Sequence, residues 1–155
     1  MSQYATLARA VAAGRSSATV QVACPGGGPF PVRHAVDADG SALLLTRVGS
    51  AVDTALTSSA VDTALTSQPD DVAAVLAVTA ASGGRLWLSG WSSPLVAPDE
   101  VRAAADAFAA RSPVGELLDV GRGWRLHRLA VAEVRVQDAH GRLVEVDPEE
   151  YAAAI

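Results

Sequence analysis

Few residues of this chain have the types and spacing that a catalytic or metal site requires. The single cysteine, Cys24, excludes an internal disulfide and any zinc site built from several thiolates. Because Cys24 follows Ala18, Val20 and Val22 in an alternating apolar series, we expect it to be a small buried hydrophobe and not a nucleophile. The sequence also lacks a nucleophile elbow with histidine and aspartate partners in the expected order.

Acidic and glycine-rich stretches give no stronger signal. Asp37, Asp39 and the neighbours Asp70 and Asp71 suggest a cation site, but they stand at predicted turns, where aspartates are common because they bond nearby backbone. The stretch PGGGP, residues 25–29, lacks the lysine and hydroxyl of a phosphate loop and is typical of a hairpin turn. The sequence therefore predicts neither a metal site nor a nucleotide loop.

Composition describes one globular domain, residues 1–155, without a nucleic-acid or membrane partner. The net charge is −5 and every one of the 12 cationic residues is arginine, so a clustered basic face is not expected and lysine chemistry is excluded. No apolar run approaches the roughly 18 residues of a membrane span. The first residues lack the pattern of a secretory signal, and we expect a soluble, cytoplasmic protein.

Apolar patterning predicts that most elements are β-strands. Five segments are alternating or continuously apolar in the manner of strands: residues 17–24, 30–37, 41–47, 70–80 and 84–92. The first two form a hairpin around the glycine-rich turn. Residues 70–80 are apolar on both faces and predict a fully buried strand. Gly90 predicts a β-bulge or a close approach of two backbones.

A longer strand follows at residues 123–137. Its even positions from Trp124 to Val136 are mostly apolar, whereas Arg125, His127, Glu133 and Arg135 alternate with them. This pattern predicts one wet face, with His127 in solvent. The stretch GRLVEV predicts a last strand beside it.

Helical spacing marks the remaining segments. Residues 4–14 end at a glycine, residues 98–111 begin with a proline and two acidic residues, and a capped turn or two follows Asp147. Together the elements predict a mainly β (α+β) domain, a small antiparallel barrel of six or seven strands with peripheral helices. A barrel is the economical closure because it leaves few exposed strand edges.

One nonapeptide, SAVDTALTS, occurs twice in residues 50–67. Ser50 with Asp53, and Ser59 with Asp62, are spaced as helix-capping boxes. At about 100° per residue, nine residues turn a helix by half a turn beyond two full turns, so the two copies cannot present the same face to one core. We interpret the repeat as a local duplication that lengthens one surface helix or loop, with the first copy packed.

The order of these elements resembles the FMN-binding split barrel of the pyridoxamine-phosphate-oxidase type. It is most similar to the N-terminal barrel of actinobacterial proteins related to split-barrel haem oxygenases, over about residues 5–153. The strings that carry the likeness are PVRHAVDADG, ALLLT, GSAVDTAL, GRLWLSGW, DEVRAAADAFAARSP, WRLHRLAVAEVRV and VDPEEYAAA.

The resemblance implies a homodimer with ligand sites at the subunit interface and FMN as the first cofactor. In flavin-binding relatives, basic and hydroxyl side chains hold the phosphate, and the matching positions here are Arg33, Thr46, Arg47 and Ser50. Such groups beside a helix start suit a phosphate. The expected function is then a flavin-binding protein or an FMN-dependent oxidoreductase of unknown substrate. The alternative is that Thr46 ends a strand, Ser50 caps its helix and both arginines are solvated.

Haem is the alternative cofactor that the resemblance implies, and it needs an axial ligand such as histidine. His34 lies on the apolar face of its predicted strand and is the candidate for that role, or else a hydrogen-bonded core or interface residue. His127 and His140 are expected in solvent. A third possibility is a non-catalytic dimeric module that has lost its cofactor.

Overall fold

The computed structural model of the chain describes residues 2–14, 16–57 and 71–154. The strands are β1 (Ser16–Val22), β2 (Phe30–Val36), β3 (Ala42–Arg47), β4 (Val72–Ala80), β5 (Arg85–Pro94), β6 (Trp124–Gln137) and β7 (Leu143–Val146). The helices are α1 (Gln3–Ala13), α2 (Ala51–Thr57), α3 (Pro98–Arg111) and α4 (Pro148–Ala153), with a 3₁₀ turn at Gly115–Asp119. Among the described residues, no helix has the length and apolarity that crossing a membrane requires.

Six of the strands close into an antiparallel barrel. The sheet order is β3-β2-β1-β4-β5-β6-β7, and a further pairing of β3 with β6 joins the two ends of the first six strands. β7 is hydrogen-bonded to the far part of β6, outside the closed ring. The predicted small antiparallel barrel with peripheral helices is confirmed.

Two apolar layers hold the barrel together. The larger one fills the interior and is covered at one end by α1 and α4, where Ala8 and Tyr151 are buried. The smaller one lies outside β2, β3 and β6, where α3 packs Ala104 and Phe108 against the sheet. Because both faces of β3 are covered, its residues from Ala42 to Thr46 are all buried.

A β-bulge in the β5–β6 pair changes which residues of β6 face the interior. Ser89 lies opposite Glu133 but Gly90 lies opposite Val131, so β6 carries one extra residue there. Before the bulge the odd positions, including His127, face inward, and after it the even positions do. The predicted single wet face was therefore wrong, and His127 is fully buried instead of solvated.

Two other predictions about burial were wrong. Cys24 is exposed, because β1 ends at Val22 and the chain enters a turn in which the Cys24 N–H bonds the Val22 carbonyl at 2.8 Å. β4 is not fully buried, since its residues alternate between buried and half-buried. Its outward face, which includes Val75 and Ala77, carries small apolar residues that patterning could not distinguish from core residues.

The first copy of the nonapeptide forms α2. Leu56 is fully buried in the barrel core, and the Ser50 hydroxyl accepts a hydrogen bond from the Asp53 N–H at 3.3 Å, as a capping box requires. The second copy, residues 59–67, lies outside the described residues, so its interpretation as a surface extension stays a prediction.

Gly90 is the glycine on which the bulge depends. A Cβ atom at Gly90 would lie 1.8 Å from the Ala130 carbonyl oxygen, so Gly90→Ala has to push two paired strands apart. We expect this variant to lose about 2 kcal/mol or more of unfolding free energy in urea titrations. Gly115→Ala is the matched control, because a Cβ there meets no atom within 4 Å. Equal stability of the two variants would contradict the close approach.

Candidate functional site

The seam between β1 and β2 is the incomplete part of the barrel. These strands pair at three positions, where Ala18–Val20 lie opposite Phe30–Val32. Beyond them, the Ser16 end of β1 stays hydrogen-bonded to β4, while the Val36 end of β2 stays with β3. The two strands therefore part and leave a groove of about 690 Å³.

The groove has an apolar floor and a polar rim. Its wall includes the last turn of α1, the start of β1, the second half of β2 and the end of α3. The polar side chains on this wall are Ser16, Ser17, Arg33, His34, Arg111 and Ser112. Its volume falls in the range of roughly 300–1,000 Å³ that small-molecule and cofactor sites occupy.

His34 is the titratable residue set deepest in the groove wall. Its Nε2 lies 3.1 Å from the Ala12 carbonyl oxygen, which can only accept, so Nε2 carries the proton and Nδ1 keeps a lone pair in the neutral ring. Burial lowers the pKa of His34, although the bond to Ala12 opposes the change. The ring is therefore neutral at pH 7, which is the form that can coordinate a metal ion.

Two arginines give the groove its positive charge. Arg33 lies on the outer face of β2, 57% exposed, and its Nη1 is 3.1 Å from Glu116 Oε2. Arg111 ends α3 and is exposed. Because exposed ion pairs contribute little free energy, the bond to Glu116 does not prevent Arg33 from binding an anionic ligand.

A second polar cluster lies inside the barrel where α2 covers it. The Asp53 carboxylate accepts hydrogen bonds from Thr46 Oγ1 at 3.2 Å, Gly49 N–H at 3.0 Å and His127 Nε2 at 3.1 Å, and Arg125 Nη1 lies at 3.3 Å. Thr46 and Arg125 are directly opposite each other in the β3–β6 pair. The side chain of Asp53 is 4% exposed and that of Arg125 is 34% exposed.

This cluster fixes the charges of its members. Burial alone would raise the pKa of Asp53, but the bonds from Gly49 and His127 and the charge of Arg125 outweigh it and hold that pKa below its ordinary value. Burial lowers the pKa of His127 despite its bond to Asp53. A neutral His127 donates from Nε2. Its Nδ1 and the hydroxyl of Ser92 are both buried, and neither has a hydrogen-bond partner among the residues that the structure describes.

The five residues predicted to bind a cofactor fall into two places. Arg33 and His34 line the groove. The hydroxyls of Thr46 and Ser50 are engaged by Asp53, through its carboxylate and its N–H respectively. Arg47 ends β3 on the exposed side, opposite Trp124. The structure does not bring all five into one constellation.

Several residues of these two sites were missed by sequence reasoning. Arg111 and Ser112 were treated as a helix end, and their place beside β2 follows from how α3 packs. Asp53 was predicted as a helix-capping residue, but its bonds to Arg125 and His127 were not predicted. Arg125 was predicted to lie in solvent. The apolar alternation along β6 did not show that the inward face changes from odd to even positions at the bulge. Asp37 is a turn residue as expected, and it also pairs with Arg128.

Comparisons with known proteins give matches among solved structures. No family model matches the chain, and no curated protein does. A heme binding protein from Mycobacterium smegmatis superposes with a TM-score of 0.76 over 99% of this chain, at 21% identity. A protein of the pyridoxinephosphate oxidase family from Clostridium acetobutylicum, related to general stress protein 26 of B. subtilis, matches 88% of this chain with a TM-score of 0.57 at 13% identity. The chain has the split-barrel fold.

The split-barrel likeness is a likeness of fold. A putative general stress protein 26 from Jannaschia sp. covers 92% of the chain with a TM-score of 0.57, at 13% identity. The chain spans 62% of the Mycobacterium smegmatis protein, against 89% of the Clostridium acetobutylicum protein. At these identities the comparisons establish the split barrel and leave the ligand to be argued from the residues.

The buried His127 gives the split barrel a specific dependence on pH. The folded pKa of His127 lies below the 6.5 of the unfolded chain, so the unfolded state binds more protons as pH falls through 6.5 and stability decreases. In urea titrations, the unfolding free energy of the unmodified chain should decrease from pH 7 to pH 5. We expect a smaller decrease in His127→Gln. His140→Gln, in an exposed turn, is the control and should keep the whole decrease. An unchanged profile in His127→Gln would contradict the buried neutral ring.

Proposed function

We propose that this split-barrel protein binds haem in the groove between β1 and β2. The observation that carries the proposal is the neutral His34 ring, whose Nε2–H is taken by the Ala12 carbonyl, in a groove that also holds two arginines. Metal-binding histidines usually donate their other N–H to a carbonyl or carboxylate in this way. The residues that line this groove therefore fit haem.

Each part of the groove has a role in this proposal. His34 is the candidate iron ligand, and Arg33 and Arg111 would pair with the propionates through charge-assisted hydrogen bonds. The apolar wall, including Ala18 and Val36, would exclude water from the ring. The bound iron would supply the redox chemistry, and the chain would set its ligand and its surroundings. The likeness to a protein described as heme binding supports this choice.

FMN is the second candidate, because the resemblance to flavin-binding split barrels implies that Arg33 contacts the phosphate. In the groove, Arg33 and Arg111 with the Ser112 hydroxyl would hold the phosphate. The flavin would supply the hydride chemistry of an oxidoreductase. The likeness to a protein of the pyridoxinephosphate oxidase family supports this candidate. Thr46 supports it less, since its hydroxyl donates to Asp53.

A titration with haemin and, in parallel, with FMN tests both candidates. We expect haemin to give a saturable Soret shift, and His34→Ala to weaken binding by roughly tenfold or more, about 1.4 kcal/mol, with altered ligand-field bands. His140→Ala is the matched control and should bind as the unmodified chain does.

The outcomes separate the candidates. If FMN alone quenches tryptophan fluorescence saturably, and Arg33→Ala abolishes the quenching, FMN is the cofactor and the haem proposal is wrong. No saturable binding of either cofactor would contradict both proposals and leave the non-catalytic module.

We also propose that two copies of the chain associate through the outer face of β4 and β5. Trp91 is 55% exposed there, beside Ala73, Val75 and Gly90, around a shallow depression of about 330 Å³. A large aromatic ring on a surface of small residues is typical of interface centres. The resemblance to dimeric split barrels supports a second copy as the partner.

A charged substitution at Trp91 tests the dimer. We expect Trp91→Glu to weaken self-association at least about tenfold in sedimentation velocity. Leu118→Glu is the control, because Leu118 is 86% exposed but lies in the 3₁₀ turn, away from this face. A monomer in both the unmodified chain and the Trp91 variant would refute the proposed interface.

A further inference from the structure

We propose that Thr46, Gly49, Arg125 and His127 form an oxyanion-binding cage whose occupant in this chain is the tethered carboxylate of Asp53. The cage is separate from the β1–β2 groove, and the proposal does not depend on which cofactor binds there. Its predicted ligands are small oxyanions the size of a carboxylate.

Three of the four donors of the cage are held independently of the anion that they bind. Thr46 and Arg125 face each other across the β3–β6 pair, and His127 lies two residues further along β6, opposite Leu44. These three side chains are therefore placed by the hydrogen-bond ladder that closes the barrel. Asp53, in contrast, lies on a helix of seven residues that follows the turn at Gly49. Shortening the Asp53 side chain removes the anion and leaves the cage.

The chemistry of the four donors suits an oxyanion. Both carboxylate oxygens are used: Thr46 and His127 donate to Oδ1, Gly49 N–H donates to Oδ2, and Arg125 Nη1 lies 3.3 Å from Oδ1 and 3.5 Å from Oδ2. With His127 neutral, the cage without Asp53 carries one positive charge. Buried donors without a partner are costly, and the partly exposed Arg125 adds an attraction for negative charge, so an incoming anion is favoured.

The cage also has an entrance. The Asp53 carboxylate is nearly buried, but the Arg125 side chain is 34% exposed and connects the cage with solvent. In the unmodified chain the tethered carboxylate has a high effective concentration, and free anions at millimolar concentration do not displace it. The site should therefore become visible when the Asp53 carboxylate is absent.

Chemical rescue of Asp53→Ala by formate tests the proposal. The substitution keeps Cβ and removes one carboxylate group, and formate is the anion that replaces this group. We expect Asp53→Ala to melt at a lower temperature, and formate at tenfold its dissociation constant to raise that melting temperature by about 3 °C or more over chloride at equal ionic strength. Asp106→Ala, an exposed change on α3, should show no difference between formate and chloride.

Further variants identify the cage as the place of binding. Asp53→Asn fills the cage with an amide and should not respond to formate. Adding Arg125→Gln to Asp53→Ala should abolish the rescue, whereas adding Arg135→Gln, an exposed arginine on the outer face of β6, should leave it. If Asp53→Ala is unfolded without an added anion, the same comparison is made by following formate-dependent folding with far-UV circular dichroism.

Two results would overturn the proposal. One is an equal change of the Asp53→Ala melting temperature in formate and in chloride. That result is expected if Asp53 and Arg125 form an ordinary ion pair and Arg125 turns to solvent when the carboxylate is removed. The other is a formate response that survives Arg125→Gln, which would place the anion elsewhere.

Discussion

Each pair of neighbouring strands in the barrel is hydrogen-bonded, but β1 and β2 are paired over only three positions and then separate. This constraint organises the molecule, because the strand segments that separate there cannot satisfy each other and must be covered from elsewhere. The last turn of α1 and the end of α3 approach the gap and turn it into a groove. The groove is therefore a product of the fold, and the side chains of Arg33, His34 and Arg111 decide what it can bind. An apolar groove with a neutral imidazole and two guanidinium groups favours a planar, anionic cofactor.

The seam between β3 and β6, which closes the ring, has a different consequence. It pairs six residues of each strand and places Thr46 and Arg125 side by side inside the barrel. His127 lies two residues further along β6 and therefore on the same inward face, whereas beyond the bulge opposite Gly90 the even-numbered residues face inward. Asp53 satisfies these polar groups from α2, so the buried charges are paired. In the described part of the chain, the charges of the Asp53 cluster are consequently paired with one another, whereas the polar groups of the groove remain accessible to a ligand.

The sequence predicts the elements well and the sites less well, for physical reasons. Alternation and capping residues identify the seven strands and four helices of the described residues, because each pattern is local. A β-bulge shifts the alternation of inward and outward residues by one position. Gly90 predicted a bulge, but the sequence did not show that His127 on the neighbouring strand faces inward. Asp53 has the spacing of a capping residue, but its partners on β6 are more than seventy positions away in the chain, and only the barrel ladder brings them together. Fold likeness predicted Arg33, His34 and Thr46 as cofactor-binding residues, but it could not show that Thr46 donates to an internal carboxylate.

A cofactor bound in the groove should contact His34 and leave the Asp53 cluster untouched. The chain has three histidines, so a long-range ¹H–¹⁵N spectrum of the imidazole rings reports on both places at once. We would record it with and without gallium protoporphyrin IX, a diamagnetic stand-in for haem, and with and without FMN, with signals assigned from His34→Gln and His140→Gln. We expect the His34 signals to shift with the cofactor that binds, while those of His127 keep their positions and their Nε2–H tautomer. Shifts of the His127 signals with unchanged His34 signals would show that the cofactor binds at the Asp53 cluster and not in the groove.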